Sequence, residues 1–237
     1  MNVRTNFTPS FQTLGLALLM AVFAAGCVSQ RSTPPVVALP TNAPFAGEIR
    51  AFAMSDLTNL PPGDATLFIG SSSIRLWKTL AQDFPNLRVI NRGFGGSQII
   101  DSVNYADRIV IPYRPRRIVF YAGGNDINAG KTPQQVIADF QLFVAKVHAA
   151  LPRTPIAYIS IAPNPARWAQ VEKVREANRL IEDFTKRNKH LSFINVFPHM
   201  LGSDGVPRPE IFVADRLHMN ERGYALWKRI VGEHLEH

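Results

Sequence analysis

The chain has 237 residues, 46% hydrophobic and 19% charged, with 15 Gly, 18 Pro and a single Cys. That is enough for one large domain or two small ones, and it excludes a disordered, collagen-like or disulfide-stapled chain. The formal net charge of +8 favours anionic surroundings. Nucleic acid is not indicated as a partner, since there is no zinc-finger spacing, aromatic RNA-binding stretch or long Lys/Arg block.

Arg4 and Arg31 are the only charges before Glu48. Between them, residues 14–25 form an uninterrupted apolar run from Leu14 to Ala25. As a helix it would cover roughly 18 Å, too short for a hydrocarbon core of about 30 Å. A basic start, an apolar stretch and small residues make the layout of an export signal. Ala24-Ala25-Gly26 is followed by the sole cysteine, Cys27. This arrangement resembles a bacterial lipoprotein signal, departing from its commonest form by having Ala24, not Leu, three residues before the cysteine. The resemblance implies removal of 1–26, acylation of Cys27 and anchoring to a membrane. With no Asp in Val28-Ser29, it implies the periplasmic face of the outer membrane within the cell envelope. Several acyl chains would hold firmly, each buried methylene contributing about 0.8 kcal/mol. Residues 27–46, carrying Pro34, Pro35, Pro40 and Pro44, read as an extended tether.

From 47 to 237 strand and helix patterns alternate. Candidate strands are Thr66 to Gly70, Arg88 to Asn91, Ile118 to Ala122, Ile156 to Ser160 and Ser192 to Val196. Helical spacing links Val136, Phe140, Phe143, Val147 and Leu151, with Pro133 at the start of that helix. Val171, Val174, Asn178, Ile181 and Phe184 share another face, and Tyr224, Trp227 and Val231 a third. The alternation predicts one α/β domain, a three-layer α/β/α sandwich around a parallel five-stranded sheet. Ligands in such sheets lie beyond the carboxyl ends of the strands, where four unusual polar groups fall.

These groups are Ser71-Ser72-Ser73, Gly93 to Gly96, Gly123-Gly124-Asn125-Asp126, and Asp215 to His218. Each alone is weak evidence, because serine after a strand is an ordinary helix cap and a glycine-rich loop an ordinary turn. No cofactor is indicated. Gln98 occupies the third glycine position of G-x-G-x-x-G, and the P-loop Gly-Lys-Ser/Thr is absent. The six histidines include no H-E-x-x-H, so no metal is expected either. Together, however, the groups supply the parts of an acyl-transfer site. A neutral serine needs a base, histidine suits neutral pH, and a carboxylate fixes the imidazole tautomer. Backbone N–H groups near Gly96 and the Asn125 amide are available to an oxyanion.

The four blocks Gly70-Ser71-Ser72, Gly93-Phe94-Gly95-Gly96, Gly123-Gly124-Asn125-Asp126 and Asp215-Arg216-Leu217-His218 resemble, in order, those of the SGNH or GDSL hydrolases. The similarity runs from about Leu67 to the C-terminus. It implies Ser72 as nucleophile, His218 as general base and Asp215 as its partner. It also implies an oxyanion hole from the N–H groups of Ser72 and Gly96 and the side chain of Asn125. The family's Asp is replaced by Ser71, so Ser71 and Ser73 stand as neighbours in register, and Gly95 as the alternative to Gly96. Gly70 through Trp77 is similar to the bacterial branch related to platelet-activating-factor acetylhydrolases and carbohydrate esterases, which has a flavodoxin-like fold.

The missing G-x-S-x-G argues against an ordinary α/β-hydrolase. Arg75 and Trp77 are placed on the first helix after the strand, Trp77 in the core. Arg114, Arg116 and Arg117 read as a solvated run, and Arg167 and Trp168 as packing residues or pocket lining in equal measure. The expected function is a serine esterase forming an acyl-enzyme on Ser72, with short acyl groups such as acetyl implied by the resemblance. Its substrate would be an acylated sugar, envelope glycan or lipid. A lysophospholipase or thioesterase and a non-catalytic glycan-binding lipoprotein are the alternatives.

Overall fold

A computed structural model of the chain describes residues 1–3, 40 and 42–236. The expected signal segment and its Cys27 lie outside the described residues. The chain divides into two units, Met1–Thr33 and Pro34–His237, and the fold is that of the second. Among the described residues no helix is long and apolar enough to cross a membrane.

The strands are β1 (Thr66–Gly70), β2 (Val89–Gly93), β3 (Arg117–Tyr121), β4 (Ile156–Ile159) and β5 (Leu191–Ile194). All neighbours pair in parallel in the order β2-β1-β3-β4-β5. This is the five-stranded flavodoxin-like sheet expected from the sequence. Each strand is displaced by no more than two residues from its sequence-based bounds, as turn chemistry blurs the ends.

The period of two divides the strands between two cores. Leu67, Ile118 and Ile156 stand side by side in register, as do Ile69 and Phe120, and all face one apolar cluster. That side is covered by α4 (Ile99–Ile109), α6 (Pro133–Ala150) and α7 (Val171–Arg187). Phe68, Val119 and Ala157 alternate with them and face the opposite cluster, completed by Trp77, Phe84 and α8 (Glu221–Leu235). Of the remaining helices, α1 (Ala46–Thr58) and α5 (Gly124–Asn128) join the first cluster through Ile49 and Ile127, and α2 (Ser72–Arg75) and α3 (Leu80–Asp83) join the second through Ile74 and Leu80.

The buried positions of α6 are the apolar residues at helical spacing, and its start is fixed by Thr132, which accepts the Gln135 N–H ahead of Pro133. The helices expected from the sequence include neither α1 nor α4, although α4 keeps its buried residues at helical spacing. In α4 the buried face includes Ser102 beside Ile99, Tyr105, Ala106 and Ile109, while α1 buries only Ala46 and Ile49 and leaves Met54 and Leu57 exposed. Ile49 and Phe52 pack α1 on the first cluster, and a polar contact adds to them. Asp56 pairs with the nearly buried Arg92 guanidinium, which also lies over the Phe52 and Tyr113 rings at 5.0 and 4.7 Å.

Two placements differ from expectation. Trp77 is in the core, but beyond α2, which stops at Arg75. There it packs on Phe68, Phe84 and Trp227 while its indole N–H donates to Asp83 at 2.7 Å. Arg117 is no solvated residue. It opens β3, and its guanidinium donates at 2.6 Å to the Leu235 carbonyl, one of the carbonyls a helix end leaves unpaired.

The chain leaves β1 toward β2 on one side and returns to β3 on the other. The sheet therefore has its switch point between β1 and β3, and a crevice opens above their carboxyl ends.

Candidate active site

The exit from β1 is a tight one. Gly70 has φ +137°, and an added Cβ would stand 1.8 Å from the Tyr121 carbonyl oxygen. Only glycine meets both conditions. The same oxygen accepts the Ser71 N–H at 2.9 Å, tying the start of α2 to the end of β3. This turn buries Ser71 and presents Ser72 at the first position of α2, where a helix has no internal acceptor for the N–H. The Ser73 carbonyl accepts the Tyr224 hydroxyl at 2.9 Å, so α8 braces the other side.

The fourth group is a loop folded on itself before α8. Phe212 and Met219 form an antiparallel bridge, and the Val213 N–H donates to His218 O at 2.9 Å. Arg216 takes a left-handed conformation at φ 59°. Inside the loop Asp215 Oδ1 accepts the N–H groups of Leu217 and His218 at 2.8 and 2.9 Å. Asp215 Oδ2 meets His218 Nδ1 at 2.6 Å, and His218 Nε2 lies 3.0 Å from Ser72 Oγ. The backbone N–H of His218 first, and its ring second, hold the Asp215 carboxyl down from 3.8 to about 2. At neutral pH that carboxylate only accepts, so the facing Nδ1 carries a proton and Nε2 is left to accept from the Ser72 hydroxyl. Of the three adjacent serines, Ser72 is the one whose hydroxyl meets the imidazole.

The third group follows β3. Gly123 has φ +107°, and an added Cβ would meet Ile161 and the Tyr158 hydroxyl within 3 Å. Asn125 then falls in the first turn of α5, its Nδ2 donating to Ser97 O at 3.0 Å. Asp126 is fully buried; its carboxylate accepts the Ile99 N–H at the start of α4 and lies 2.8 Å from Lys131 Nζ. Burial pushes its carboxyl up, against the pull of Lys131. Lys131 also pairs with Asp139 at 2.6 Å. Asp126 thus clamps the glycine loop of the second group to the third, and the sequence holds no period or spacing that marks it for that role.

Ser72, Asn125 and His218 all line one cleft of about 480 Å3 including its open mouth. Arg167, Tyr121, Met200 and Phe212 are among its other walls. Asp215 stands behind His218. Gly96 is exposed with φ +81° on the adjoining loop, next to Ser97, and is not among the cleft's lining residues. Gly95 lies against the Arg75 guanidinium. Of Arg167 and Trp168, only Arg167 borders the serine cleft; both line a smaller neighbouring cavity with Ile161 and Val171.

Comparison with known proteins gives the family. The model of the GDSL-like lipase/acylhydrolase family matches residues 70–226. No curated protein matches the chain at a significant level. Among solved structures, a GDSL-like lipase from Bacteroides thetaiotaomicron superposes with TM-score 0.68 at 20% identity, covering 79% of this chain and 97% of its own. A carbohydrate esterase family 3 protein from Talaromyces cellulolyticus gives TM-score 0.55 at 18% identity, covering 72% and 96%. An acetyl esterase solved with acetate gives 0.58 at 15%, covering 72% and 96%. At such identities these structures show the fold.

Proposed function

Because this chain belongs to the GDSL-like lipase/acylhydrolase family and is a hydrolase acting on ester bonds, we propose that it cleaves short acyl esters, acetyl foremost, through an acyl-enzyme on Ser72. The observation that carries this is the unbroken line from Asp215 through His218 to Ser72, at 2.6 and 3.0 Å.

Ser72 Oγ attacks the ester carbonyl carbon while its proton passes to His218 Nε2, and Asp215 steadies the imidazolium formed. The carbonyl oxygen, now an anion, takes donors from the Ser72 N–H and the Asn125 amide, both of which line the cleft; the Gly96 N–H, on the loop beside it, is proposed as the third donor. Collapse breaks the bond to the alcohol oxygen, which leaves with the proton from His218. Water, deprotonated by His218, then attacks the acyl-serine and frees the acid and the hydroxyl. The preference for acetyl is supported by the fold shared with a carbohydrate esterase and an acetyl esterase.

Hydrolysis of p-nitrophenyl acetate, butyrate and octanoate by wild type and Ser72→Ala tests the proposal. The acetate should be the best substrate, and the folded variant should lose about 10⁴-fold or more in kcat. Equal rates for the two proteins would refute the assignment, and a preference for octanoate would refute the short-acyl reading. The lipid anchor at Cys27 is a separate proposal, supported by the sequence preceding that residue. Cys27→Ala should release the protein from membranes without detergent, whereas unchanged partitioning would remove the anchor.

A further inference from the structure

Arg167 belongs to none of the four motif groups, yet its guanidinium reaches the centre of one of them. Its Nη1 donates to Asn125 Oδ1 at 3.0 Å and to the Gly124 carbonyl at 3.2 Å. No carboxylate pairs with it among the described residues, although the charge is half-buried and burial draws its pKa down. Such a guanidinium gives up part of its hydration for two neutral acceptors and no opposite charge, a net cost to the fold.

The segment carrying it is held at each step. Asn178 brackets Ile161 with two hydrogen bonds, accepting its N–H at 2.7 Å and donating to its carbonyl at 3.0 Å. Asn164 accepts the Arg167 N–H at 2.9 Å, and the Ala166 N–H donates to Arg216 O at 3.1 Å. One short stretch therefore touches the loop of Asp215 and His218 through its backbone and Asn125 through its side chain.

The consequence for Asn125 is a matter of donors and acceptors. Its Oδ1 faces the Arg167 donor and its Nδ2 faces the Ser97 carbonyl oxygen, 3.0 Å away. Turning the amide over would set donor against donor and acceptor against acceptor. The amide is locked with nitrogen toward Ser97, and the second Nδ2 proton is left for an acceptor in the cleft that Asn125 lines. A cation bonded to Oδ1 also draws electron density from the amide nitrogen, which strengthens that remaining donor.

We propose that Arg167 is a positioning residue that fixes and polarises the Asn125 amide for the oxyanion without itself touching the ester; this rests on Asn125 being an oxyanion donor, as in the function proposed above. It acts on the transition state through another side chain, so its loss falls on kcat and disappears once Asn125 is gone.

The experiment is a double-mutant cycle on p-nitrophenyl acetate with Asn125→Ala, Arg167→Ala and the two together, each checked for folding by its Tm. Asn125→Ala should lower kcat about 10²-fold. Arg167→Ala should lower it about ten- to a hundredfold, with KM changed by no more than about twofold. The double variant should fall within about twofold of Asn125→Ala alone. Millimolar guanidinium should restore part of the kcat of Arg167→Ala and none in the double variant. Additive losses, or a rise in KM at constant kcat, would overturn the proposal, the latter by making Arg167 a substrate contact. Full activity of Asn125→Ala would instead strike the oxyanion reading itself, and the proposal with it. Should Arg167→Ala fail to fold, Arg167→Lys gives the same cycle, and a loss that persists without Asn125 overturns the proposal.

Discussion

The two sides of the cleft are built in different ways. On the side proposed for the base, Asp215 and His218 lie three residues apart in one exposed loop, and the bonds within the pair are local. On the side proposed for the oxyanion, Asn125 and Asp126 are held by bonds that cross long stretches of chain, to Ser97, Ile99 and Arg167. The first side is a turn that carries its own geometry. The second exists only when β2, β3 and the segment after β4 have assembled. Chemistry and stability should therefore separate between them.

Asp215→Asn presents the largest effect. An amide facing Nδ1 no longer imposes the productive tautomer, and kcat should drop about 10³–10⁴-fold. Because the carboxylate is half-exposed and its partners are local, the urea midpoint should hardly move. Asp126→Ala should do the reverse. It leaves the Ile99 N–H without its acceptor and Lys131 with one carboxylate instead of two, at a cost of about 3 kcal/mol in unfolding free energy. Its loss of kcat should be smaller than that of Asp215→Asn. If Asp215→Asn proves the more destabilising of the two, the contrast between the sides fails.

The smallest effect concerns pH. The folded state holds the Asp215 carboxyl near 2 against an ordinary 3.8. A depressed carboxyl stabilises the fold above the unfolded value, and the gain is lost as pH falls through that range. Wild type should therefore lose slightly more Tm than Asp215→Asn on acidification from about pH 5 to 2. Solvent screening of this half-exposed group limits the difference to about 2 °C. Identical slopes would mean that the pair does not couple to folding.

How far the sequence reveals this molecule depends on the range of the interaction. The strand β1 and the buried face of α6 are legible because period two and period 3.6 appear directly as apolar spacing. The helix α1 is less so, since it buries only Ala46 and Ile49 fully and relies also on the ion pair of Asp56 with Arg92, 36 residues away. Within the site, the block containing Asp215 and His218 is visible as a motif. Arg167 and Asp126 differ: one follows a proline pair and the other sits beside a motif asparagine, and neither position announces a partner. Their roles depend on which loops are neighbours.

Composition and spacing alone determine a parallel α/β sandwich, the four polar groups at its strand ends and the acyl-transfer chemistry that those residue types provide. Only the tertiary structure decides that Ser72, and not an adjacent serine, lies 3.0 Å from an imidazole 146 residues further along the chain. It also decides that a guanidinium outside every motif locks the Asn125 amide. Periodicity and turn chemistry act over a few residues, whereas the meeting of these groups is set by sheet order and by the glycine turns that aim the exits of β1 and β3 into one crevice.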